Sequence, residues 1–384
     1  MRESNVIKEG NMVSVCHMTS VHSRDDIRIF EKECKSLAAA GYQTTLVVND
    51  REEEETKDGV RIISTGFFTK SRIKRALHTQ SVFLKRALEL NCEIYHLHDP
   101  ELLPLALRLK KRGKKVIFDS HEYYYEQIRE KGYMAKFLRS LIAAVYLLYE
   151  RRAFKKIDAV IYPCTIASER TVKREILDKI VYINNVPKLE DLYNHYSPIS
   201  MEKEFKACYL GSLTRSRGIK HITKAAHKAK VKLILAGKFH SESFEKEVKQ
   251  LGEAEILDYR GFVDRRGVLD IYKESSVGLC TLLNRGQYLK SNNLPTKAYE
   301  YMSMAMPVII SDSPYTRQLL KKYEFGLAVN PEDIEGISKA ILELKNNPEL
   351  ARKMGQKGRE AVLQELNWGI EERKLLDLYK KLLN

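Results

Sequence analysis

Short apolar runs alternate with amphipathic stretches along most of this 384-residue chain, and the alternation occurs in two series. The first series has apolar runs at residues 12–17, 44–48, 93–98, 115–118, 158–162 and 179–183, and the second at 206–209, 232–236, 254–259, 277–282 and after Pro307. A polar stretch with two prolines, residues 187–200, separates the two series. Buried strands that alternate with helices indicate a parallel sheet with helices on both faces. The sequence therefore predicts two doubly wound α/β domains joined near residue 190.

The composition is typical of a globular protein, because 43% of the residues are hydrophobic and 30% are charged. No apolar run approaches the roughly 20 residues that a membrane-spanning helix needs. The longest candidate, residues 141–149, is followed by three charged residues and is predicted to be a buried helix. No signal peptide is expected from the N-terminal residues. The six cysteines form no C-x-x-C pair, which favours reduced thiols in a cytoplasmic protein over disulfides or a cysteine-ligated zinc site.

The formal net charge of +15 favours a polyanionic partner such as a nucleotide, a nucleic acid or an anionic lipid surface. No zinc-finger spacing or RNP-like aromatic motif is evident, so nucleic acid is not the expected partner. Residues 71–90 place basic side chains around apolar positions near helical spacing. Two interpretations stay open for this stretch: a basic amphipathic helix on the inner face of the plasma membrane, or a solvated surface helix.

The segment from Ser291 to Asp312, S-N-N-L-P-T-K-A-Y-E-Y-M-S-M-A-M-P-V-I-I-S-D, predicts a tight turn, a short helix opened by Pro295, and a buried strand. Lys297 and Glu300 are expected in the first helical turn, where unpaired N–H groups and the helix dipole attract phosphate. Lys297 would add a positive charge there. Glu300 would be free to accept hydrogen bonds from a ribose diol. The alternative is an ordinary αβ unit without a ligand.

A second candidate phosphate site is the sequence G-S-L-T-R-S-R-G-I-K, which joins a strand to a helix at residues 211–220. A glycine turn with Arg215 and Arg217 suits a diphosphate. The spacing of the two glycines excludes a Walker loop. Together with Lys297, the two arginines would supply enough positive charge to bind a diphosphate without a metal, and no D-x-D pair suggests a metal-bound nucleotide. The alternative is a simple turn with solvated arginines.

Polar residues also follow three strands of the first series, and the carboxyl ends of parallel strands share one edge of a sheet. A lone histidine is more often structural than catalytic, and His98 with Asp99 could simply cap the helix opened by Pro100. The convergence of several such groups nevertheless favours a functional role for His121. The residues concerned are His22, Arg24, Asp25, His98, Asp99, His121 and Glu122.

Several of these motifs together resemble the family 4 retaining glycosyltransferases of the GT-B fold, over nearly the whole chain. The motifs are H-M-T-S-V-H-S-R-D-D-I-R-I-F-E-K-E from His17, Y-H-L-H-D-P-E-L-L from Tyr95, F-D-S-H-E from Phe118, Y-L-G-S-L-T-R-S-R-G from Tyr209, Y-R-G-F-V from Tyr259, and the segment 291–312. The resemblance implies two Rossmann-like domains that face each other across a cleft. Residues 1–190 with a final helix at about 366–384 would bind the acceptor, and 191–365 the nucleotide-sugar donor.

The resemblance also assigns roles to individual residues. It implies catalytic roles for His121, near the transferred sugar, and for Arg217 and Lys297, at the diphosphate. Glu300 matches the second glutamate of the family's E-x7-E motif and would bind the ribose. The implied donor-binding residues are Gly211, Ser212, Arg215, Arg217, Gly261, Phe262, Val263, Asn292, Asn293, Leu294, Lys297 and Glu300. The implied acceptor-binding residues are His22, Arg24, Asp25, His98, Asp99 and Glu122.

The chain departs from the family pattern at two points. Asn292 replaces the first glutamate of the motif, and His22-Ser23-Arg24-Asp25 replaces the usual glycine pair after the first strand. The expected function is retaining transfer of a hexose-type sugar from a nucleotide-sugar, with a UDP-sugar as the expected donor, to a glycan or lipid-linked acceptor in bacterial cell-surface polysaccharide synthesis. Because the two cationic loops would bind the diphosphate, no metal or cofactor is expected. Two alternatives remain: a GT-B nucleotide-sugar epimerase, and a non-catalytic nucleotide-sugar or lipid-binding partner subunit.

Overall fold

The computed structural model describes residues 7–8, 11–67, 69, 72–121, 123–130, 135–164, 174–189, 204–251, 255–284 and 291–384. These residues divide into two compact units, the first comprising Met1–Asn185 with Ile370–Asn384 and the second Val186–Gly369. The division falls at the start of the polar stretch that separates the two series of strand patterns.

The first unit is built on an eight-stranded sheet, and strands are numbered here along the chain. A separate hairpin pairs β1 (Ile7–Lys8) with β2 (Asn11–Met12). The sheet contains β3 (Ser14–Thr19), β4 (Gln43–Val48), β5 (Glu55–Lys57), β6 (Val60–Ser64), β7 (Ile94–Leu97), β8 (Lys115–Asp119), β9 (Ala159–Tyr162) and β10 (Ile180–Tyr182). Its order is β10-β9-β8-β7-β3-β4-β6-β5, and only β5 pairs antiparallel.

The helices of this unit follow the strands. They are a π-helix at Ile29–Cys34, α1 (Lys35–Ala39), α2 (Arg72–Leu90), a 3-10 turn at Pro100–Leu102, α3 (Leu103–Lys110), α4 (Tyr124–Glu130), α5 (Lys136–Lys156) and a 3-10 helix at Arg174–Lys179. The sequence pattern predicts one α-helix from Arg28 to Ala40. Instead, Glu31 N–H bonds to Asp26 O and Glu33 N–H to Arg28 O, both with the five-residue spacing of a π-turn.

The second unit contains a six-stranded, fully parallel sheet of β11 (Lys206–Leu210), β12 (Lys232–Ala236), β13 (Leu257–Tyr259), β14 (Val277–Cys280), β15 (Val308–Ser311) and β16 (Gly326–Val329). Its order is β13-β12-β11-β14-β15-β16, which is the 3-2-1-4-5-6 order of dinucleotide-binding sheets. Its helices are a 3-10 turn at Arg215–Arg217, α6 (Ile219–Ala229), α7 (Glu242–Lys249), α8 (Arg265–Glu274), α9 (Thr296–Ser303), α10 (Pro314–Tyr323), α11 (Ile334–Asn346) and α12 (Pro348–Gln364). The structure confirms the predicted α/β class with two Rossmann-like domains.

The final helix, α13 (Trp368–Leu383), belongs mainly to the first unit. Its Tyr379 is fully buried, and the hydroxyl lies 2.9 Å from His96 Nδ1 on β7. The end of the chain therefore contributes a side chain to the interior of the unit that contains the start of the chain.

The prediction of a buried helix at residues 141–149 is wrong. The buried face of α5 contains Ala143 and, near the end of the helix, Ala153 and Phe154. Several larger apolar side chains of α5 are therefore exposed. The exposed set is Phe137, Leu138, Leu141, Ile142, Val145 and Leu148. Across the part of the chain that the structure describes, no helix combines the length and the apolar character needed to span a membrane.

Candidate active site

Lys297 lies near the start of α9, beside the carboxyl end of β11. Its Nζ is 3.6 Å from the centre of the Tyr209 ring. A Cβ atom at residue 211 would lie 3.1 Å from that Nζ, and Gly211 has a φ of 125°, so the position favours glycine for both reasons. Burial lowers the pKa of Lys297 to about 7, and the positive charge of Arg217 adds to this effect against the opposing charges of Cys280 and Glu300.

The two arginines of the glycine turn have different surroundings. Arg217 acts electrostatically on Lys297 and precedes Gly218, whose φ of 71° and close approach to the Thr281 carbonyl exclude a Cβ. Arg215 instead forms an ion pair with Glu247 on α7, and its guanidinium lies 4.7 Å from the centre of the Phe244 ring. Arg217 is thus near enough to act on the charge of Lys297, whereas Arg215 is directed to a different, exposed pair.

Glu300 lies in the second turn of α9, since the helix begins at Thr296, and this corrects the predicted first-turn position. The expectation of a free carboxylate is also wrong. Tyr272 donates its hydroxyl hydrogen to Glu300 Oε2 at 2.6 Å, and Arg265 donates to Oε1 at 2.9 Å. Burial and the neighbouring Glu300 raise the pKa of Tyr272 well above its usual range, so this donor stays protonated. A carboxylate has further lone pairs, so Glu300 can still accept from a ligand.

The other predicted donor-binding residues lie in three loops of the same unit. Asn292 is exposed, whereas the Tyr299 hydroxyl donates to Asn293 Oδ1 at 2.8 Å and accepts from Leu294 N–H at 3.3 Å. The Leu294 N–H is therefore already bonded. In the loop after β11, Ser212 is exposed and its carbonyl accepts a hydrogen bond from the Tyr209 hydroxyl.

In the loop after β13, the Gly261 carbonyl accepts a hydrogen bond from Gly237 N–H. The Phe262 side chain is exposed, with the Lys238 amine over its ring, and Val263 packs against the core.

In the first unit, His121 contacts other histidines at the carboxyl ends of the strands. Its Nε2 is 3.1 Å from His98 Nδ1 and 3.6 Å from Asp119 Oδ2, and its ring centre is 4.8 Å from that of His22. Burial lowers the pKa of His121 to about 3 although Asp119 opposes this shift. The imidazole is therefore neutral at pH 7, and it can exchange hydrogen bonds but does not supply a positive charge.

His98 and Asp99 are predicted to bind the acceptor, but both are buried and cannot touch a ligand directly. Asp99 Oδ2 accepts from Thr19 Oγ1 at 2.8 Å and from Ser20 N–H at 2.6 Å. The alternative capping role is also wrong for Asp99, because its side chain makes no bond to the following 3-10 turn. These residues hold the loop after β3 and the imidazole of His121 in position.

The three other described acceptor candidates line one cavity of about 430 Å³ in the first unit. His22, Arg24 and Asp25 form part of its wall, and Glu122 lies outside the described residues. Arg24 donates to Asp50 Oδ2 at 2.9 Å and to Glu55 Oε1 at 2.7 Å, so its charge is already paired. The cavity therefore offers carboxylates and an imidazole, which suit an acceptor rich in hydroxyl groups.

The sequence interpretation missed several residues that position these groups. Tyr272 and Arg265 approach Glu300 from α8, which no short motif could reveal. Arg28 donates from Nε to Asp119 Oδ2 at 2.9 Å. In contrast, the sequence H-L-H at residues 96–98 predicts that the two histidines share one face of the sheet, because residues two apart in a strand point to the same face.

Two family descriptions match the chain, one in each unit. "Glycosyltransferase Family 4" matches residues 29–187, and "Glycosyl transferases group 1" matches residues 193–361. The chain is a glycosyltransferase whose first unit matches family 4. This glycosyltransferase is 23% identical to "Putative glycosyltransferase EpsD" of Bacillus subtilis over 299 residues, which cover 71% of the chain and 72% of that protein. It is 25% identical to "Alpha-maltose-1-phosphate synthase" of Mycolicibacterium smegmatis over 260 residues, which cover 60% of the chain and 65% of that protein.

Solved structures support the fold of the glycosyltransferase. Sucrose-phosphate synthase from Thermosynechococcus elongatus superposes with a TM-score of 0.74 at 16% identity, covering 97% of this chain and 99% of that one. Anabaena Alr3699/HepE in complex with UDP and glucose superposes with a TM-score of 0.68 at 11% identity, covering 96% of this chain and 100% of that one. At these identities the likeness shows the GT-B fold alone.

Proposed function

We propose that this glycosyltransferase moves a hexose-type sugar from a UDP-sugar to a glycan or lipid-linked acceptor in bacterial cell-surface polysaccharide synthesis, with retention of configuration. The observation that carries the proposal is the Lys297 amine, held beside Gly211 with Arg217 in range, at the carboxyl end of a sheet with the dinucleotide-binding strand order. Ligands of such sheets bind at that end.

The second unit binds the nucleotide-sugar donor through these charged residues. Lys297 and Arg217 bind the diphosphate. Burial lowers the pKa of Lys297, and the negative charge of the bound diphosphate favours the protonated form of its amine. Glu300 accepts from the ribose hydroxyls while Tyr272 keeps the carboxylate in place. The loop Gly261–Val263 contacts the base. Support for UDP comes from the Anabaena structures, which contain UDP and UDP-glucose in the same fold.

The transfer proceeds at the front face of the donor. The bond between C1 and the leaving phosphate oxygen breaks through an oxocarbenium-like state while the acceptor oxygen bonds to C1 from the same side. The acceptor proton passes to the leaving phosphate oxygen. Arg217 and Lys297 stabilise the negative charge that develops on the diphosphate, so the step needs neither a protein nucleophile nor a metal at this position. The family resemblance assigns His121 to the transferred sugar, and a neutral imidazole can exchange hydrogen bonds with sugar hydroxyls.

The acceptor side is assigned to the first unit. The cavity lined by His22, Arg24 and Asp25 provides hydrogen-bond acceptors for sugar hydroxyls. A cytoplasmic location at the inner face of the plasma membrane suits a lipid-linked acceptor. The apolar face of α5 supports this location better than the basic stretch at 71–90, because Phe83 and Ala87 of α2 are buried in their unit.

The charge of α5 matches an anionic membrane. Its basic residues are Lys136, Arg139, Arg151, Arg152, Lys155 and Lys156, and its one acid, Glu150, is buried. Basic side chains beside an exposed apolar stripe are typical of helices that lie in the headgroup region of a bilayer. We assign this face to peripheral contact with anionic lipid.

The experiment that tests the function is a mass-spectrometric screen of UDP-, GDP- and ADP-sugars, each with and without a lipid-linked saccharide acceptor. A glycosylated acceptor with the donor's anomeric configuration supports the proposal. A changed sugar in the absence of acceptor would instead indicate an epimerase. Nucleotide-sugar binding without hydrolysis or transfer would indicate the non-catalytic subunit, the alternative that the amide of Asn292 favours.

A further inference from the structure

Three buried histidines share one face of the first sheet. His17 on β3 lies opposite His96 on β7 in the strand register, and His98 follows two residues later on the same face. Glu33 of the π-helix approaches this face. All four side chains have no solvent exposure. The fold thus encloses three imidazoles and a carboxylate in a space that water does not reach.

The candidate ligand atoms of this cluster lie close to one another. Glu33 Oε2 is 4.0 Å from His17 Nδ1, 3.9 Å from His96 Nε2 and 3.9 Å from His98 Nε2. These four atoms all lie within 4.8 Å of one another. A tetrahedral zinc ion with bonds of about 2.0–2.2 Å separates its ligand atoms by about 3.3–3.6 Å. The rings of His96 and His98 are stacked with their centres 4.6 Å apart, so coordination requires these rings to turn as well as the ligand atoms to move closer together.

The outer nitrogen of each imidazole already has a partner. Tyr379 of α13 places its hydroxyl oxygen 3.2 Å from His17 Nε2 and 2.9 Å from His96 Nδ1. A hydroxyl oxygen can accept two hydrogen bonds, so both rings can carry their proton outward and leave a lone pair inward. His98 directs its Nδ1 toward His121 Nε2 at 3.1 Å. Such partners on the outer nitrogen are typical of histidines that bind metals.

Two inward atoms lack partners. Among the described residues, Glu33 Oε2 and His96 Nε2 are buried and make no hydrogen bond. Buried polar atoms in proteins are nearly always satisfied, and an unsatisfied carboxylate oxygen is costly. Arg28 balances part of the charge, since its Nε lies 3.1 Å from Glu33 Oε1, but the same guanidinium also pairs with Asp119. A divalent cation would satisfy both inward atoms.

We propose that His17, Glu33, His96 and His98 bind one zinc ion in the first unit. Four protein ligands and no exposed face make this a closed site, which is the form of structural zinc. The ion would join β3, β7 and the π-helix, and through Tyr379 it would also fix α13. It is independent of the sugar transfer assigned to Lys297. The five-residue turns of the π-helix have a function in this proposal, because they turn Glu33 toward the histidines.

The competing arrangement is a metal-free hydrogen-bonded cluster. His17 Nδ1 and His98 Nε2 are 2.9 Å apart, which is hydrogen-bonding distance. In that arrangement one of the two nitrogens carries a proton, and burial with the charge of Asp119 raises the pKa of Glu33 well above its usual range, which favours a protonated carboxyl group. The two arrangements differ in a measurable quantity, the zinc content of the folded chain.

The test uses the full-length protein and measures binding rather than activity. The purified chain is dialysed against a chelator, titrated with Zn²⁺ in competition with a chromophoric chelator, and analysed for metal content. We expect one tightly bound zinc per chain, a higher Tm with zinc than without it, and an X-ray absorption spectrum with four nitrogen or oxygen ligands. Glu33→Gln, which keeps the shape of the side chain, should weaken zinc binding by at least about tenfold.

His240→Asn is the matched control, because His240 is an exposed histidine of the second unit. It should leave zinc affinity and the zinc-dependent rise in Tm unchanged. Failure of the wild-type chain to bind one equivalent of zinc would overturn the proposal. Retention of full affinity by a folded Glu33→Gln variant, or loss of it in His240→Asn, would also overturn it. The wild-type stoichiometry decides the question even if the Glu33 variant does not fold.

Discussion

The Lys297 amine lies 3.6 Å from the centre of the Tyr209 ring, at the carboxyl end of β11. The face of the ring attracts the cationic form of the amine, and the buried position excludes most solvent from it. Burial in this position lowers the pKa of Lys297 to about 7, so near neutral pH the charge of the side chain responds to a ligand. A diphosphate that binds there should draw a proton onto the amine.

The first prediction concerns pH. A bound diphosphate raises the pKa of Lys297, so UDP affinity is highest below pH 7 and falls as the pH rises above it, by up to about tenfold per unit. Calorimetry at pH 8 in buffers of different ionisation enthalpy should show uptake of nearly one proton per UDP. In Lys297→Arg, which stays charged, the dependence between pH 7 and 9 should disappear. An unchanged slope in that variant contradicts the assignment.

The second prediction concerns turnover. Lys297→Ala removes a cation from the developing charge on the leaving diphosphate, and such losses lower kcat by about 10²–10³. Steady-state kinetics with a donor identified in the screen checks this value. Arg215→Ala is the comparison, because Arg215 pairs with the exposed Glu247 and should change kcat by less than about threefold. Equal losses in both variants would remove the distinction between the two positions.

The third prediction concerns the ribose site. Tyr272→Phe deletes the 2.6 Å hydrogen bond to Glu300 and leaves a partly buried carboxylate oxygen without its donor, at a cost of about 1–3 kcal/mol. Donor Kd should rise by about 5- to 150-fold, whereas affinity for free diphosphate should stay the same. Tyr323→Phe is a matched control, since it deletes an exposed tyrosine–glutamate bond to Glu365. A similar change of donor Kd in both variants would count against a ribose role for Glu300.

The fourth prediction concerns the membrane. Phe137→Gln with Val145→Gln on α5 should lower binding to vesicles that contain phosphatidylglycerol by at least about tenfold, because two exposed apolar side chains no longer enter the bilayer. Flotation measures this binding, which should also weaken at high salt. Leu88→Gln on α2 changes a leucine that is 51% exposed and should have no effect. Wild-type protein that stays unbound at low salt would exclude the membrane face.

Periodicity predicted β3, β4 and β7 to β15 as strands but did not predict β1, β2, β5, β6 or β16. The bounds of α6 and β12 follow from the sequence because their apolar positions have a clear period and a glycine or lysine marks each end. It did not predict which face of α5 is exposed, because the helix packs through alanines and leaves larger side chains outside. Apolar content alone does not determine burial.

The candidate site was less accessible to sequence reasoning. Motif spacing indicated Lys297, Glu300 and His121, but not the pairing of Arg215 with Glu247, because that contact joins residues that are 32 apart in the chain. The same limit applies to Glu33, which reaches the histidines only through π-turns. Long-range contacts and local departures from α-helical geometry leave no short-range pattern in a sequence.

The most direct measurement of the central claim is calorimetric binding of UDP-sugars to the wild-type chain and to Lys297→Met, which keeps the length of the side chain without its charge. The account predicts one site per chain for the wild type and at least about tenfold weaker binding for the variant, since a charge-assisted bond to a diphosphate is lost. Absence of nucleotide-sugar binding in the wild type, or equal affinity in a folded Lys297→Met variant, would contradict it.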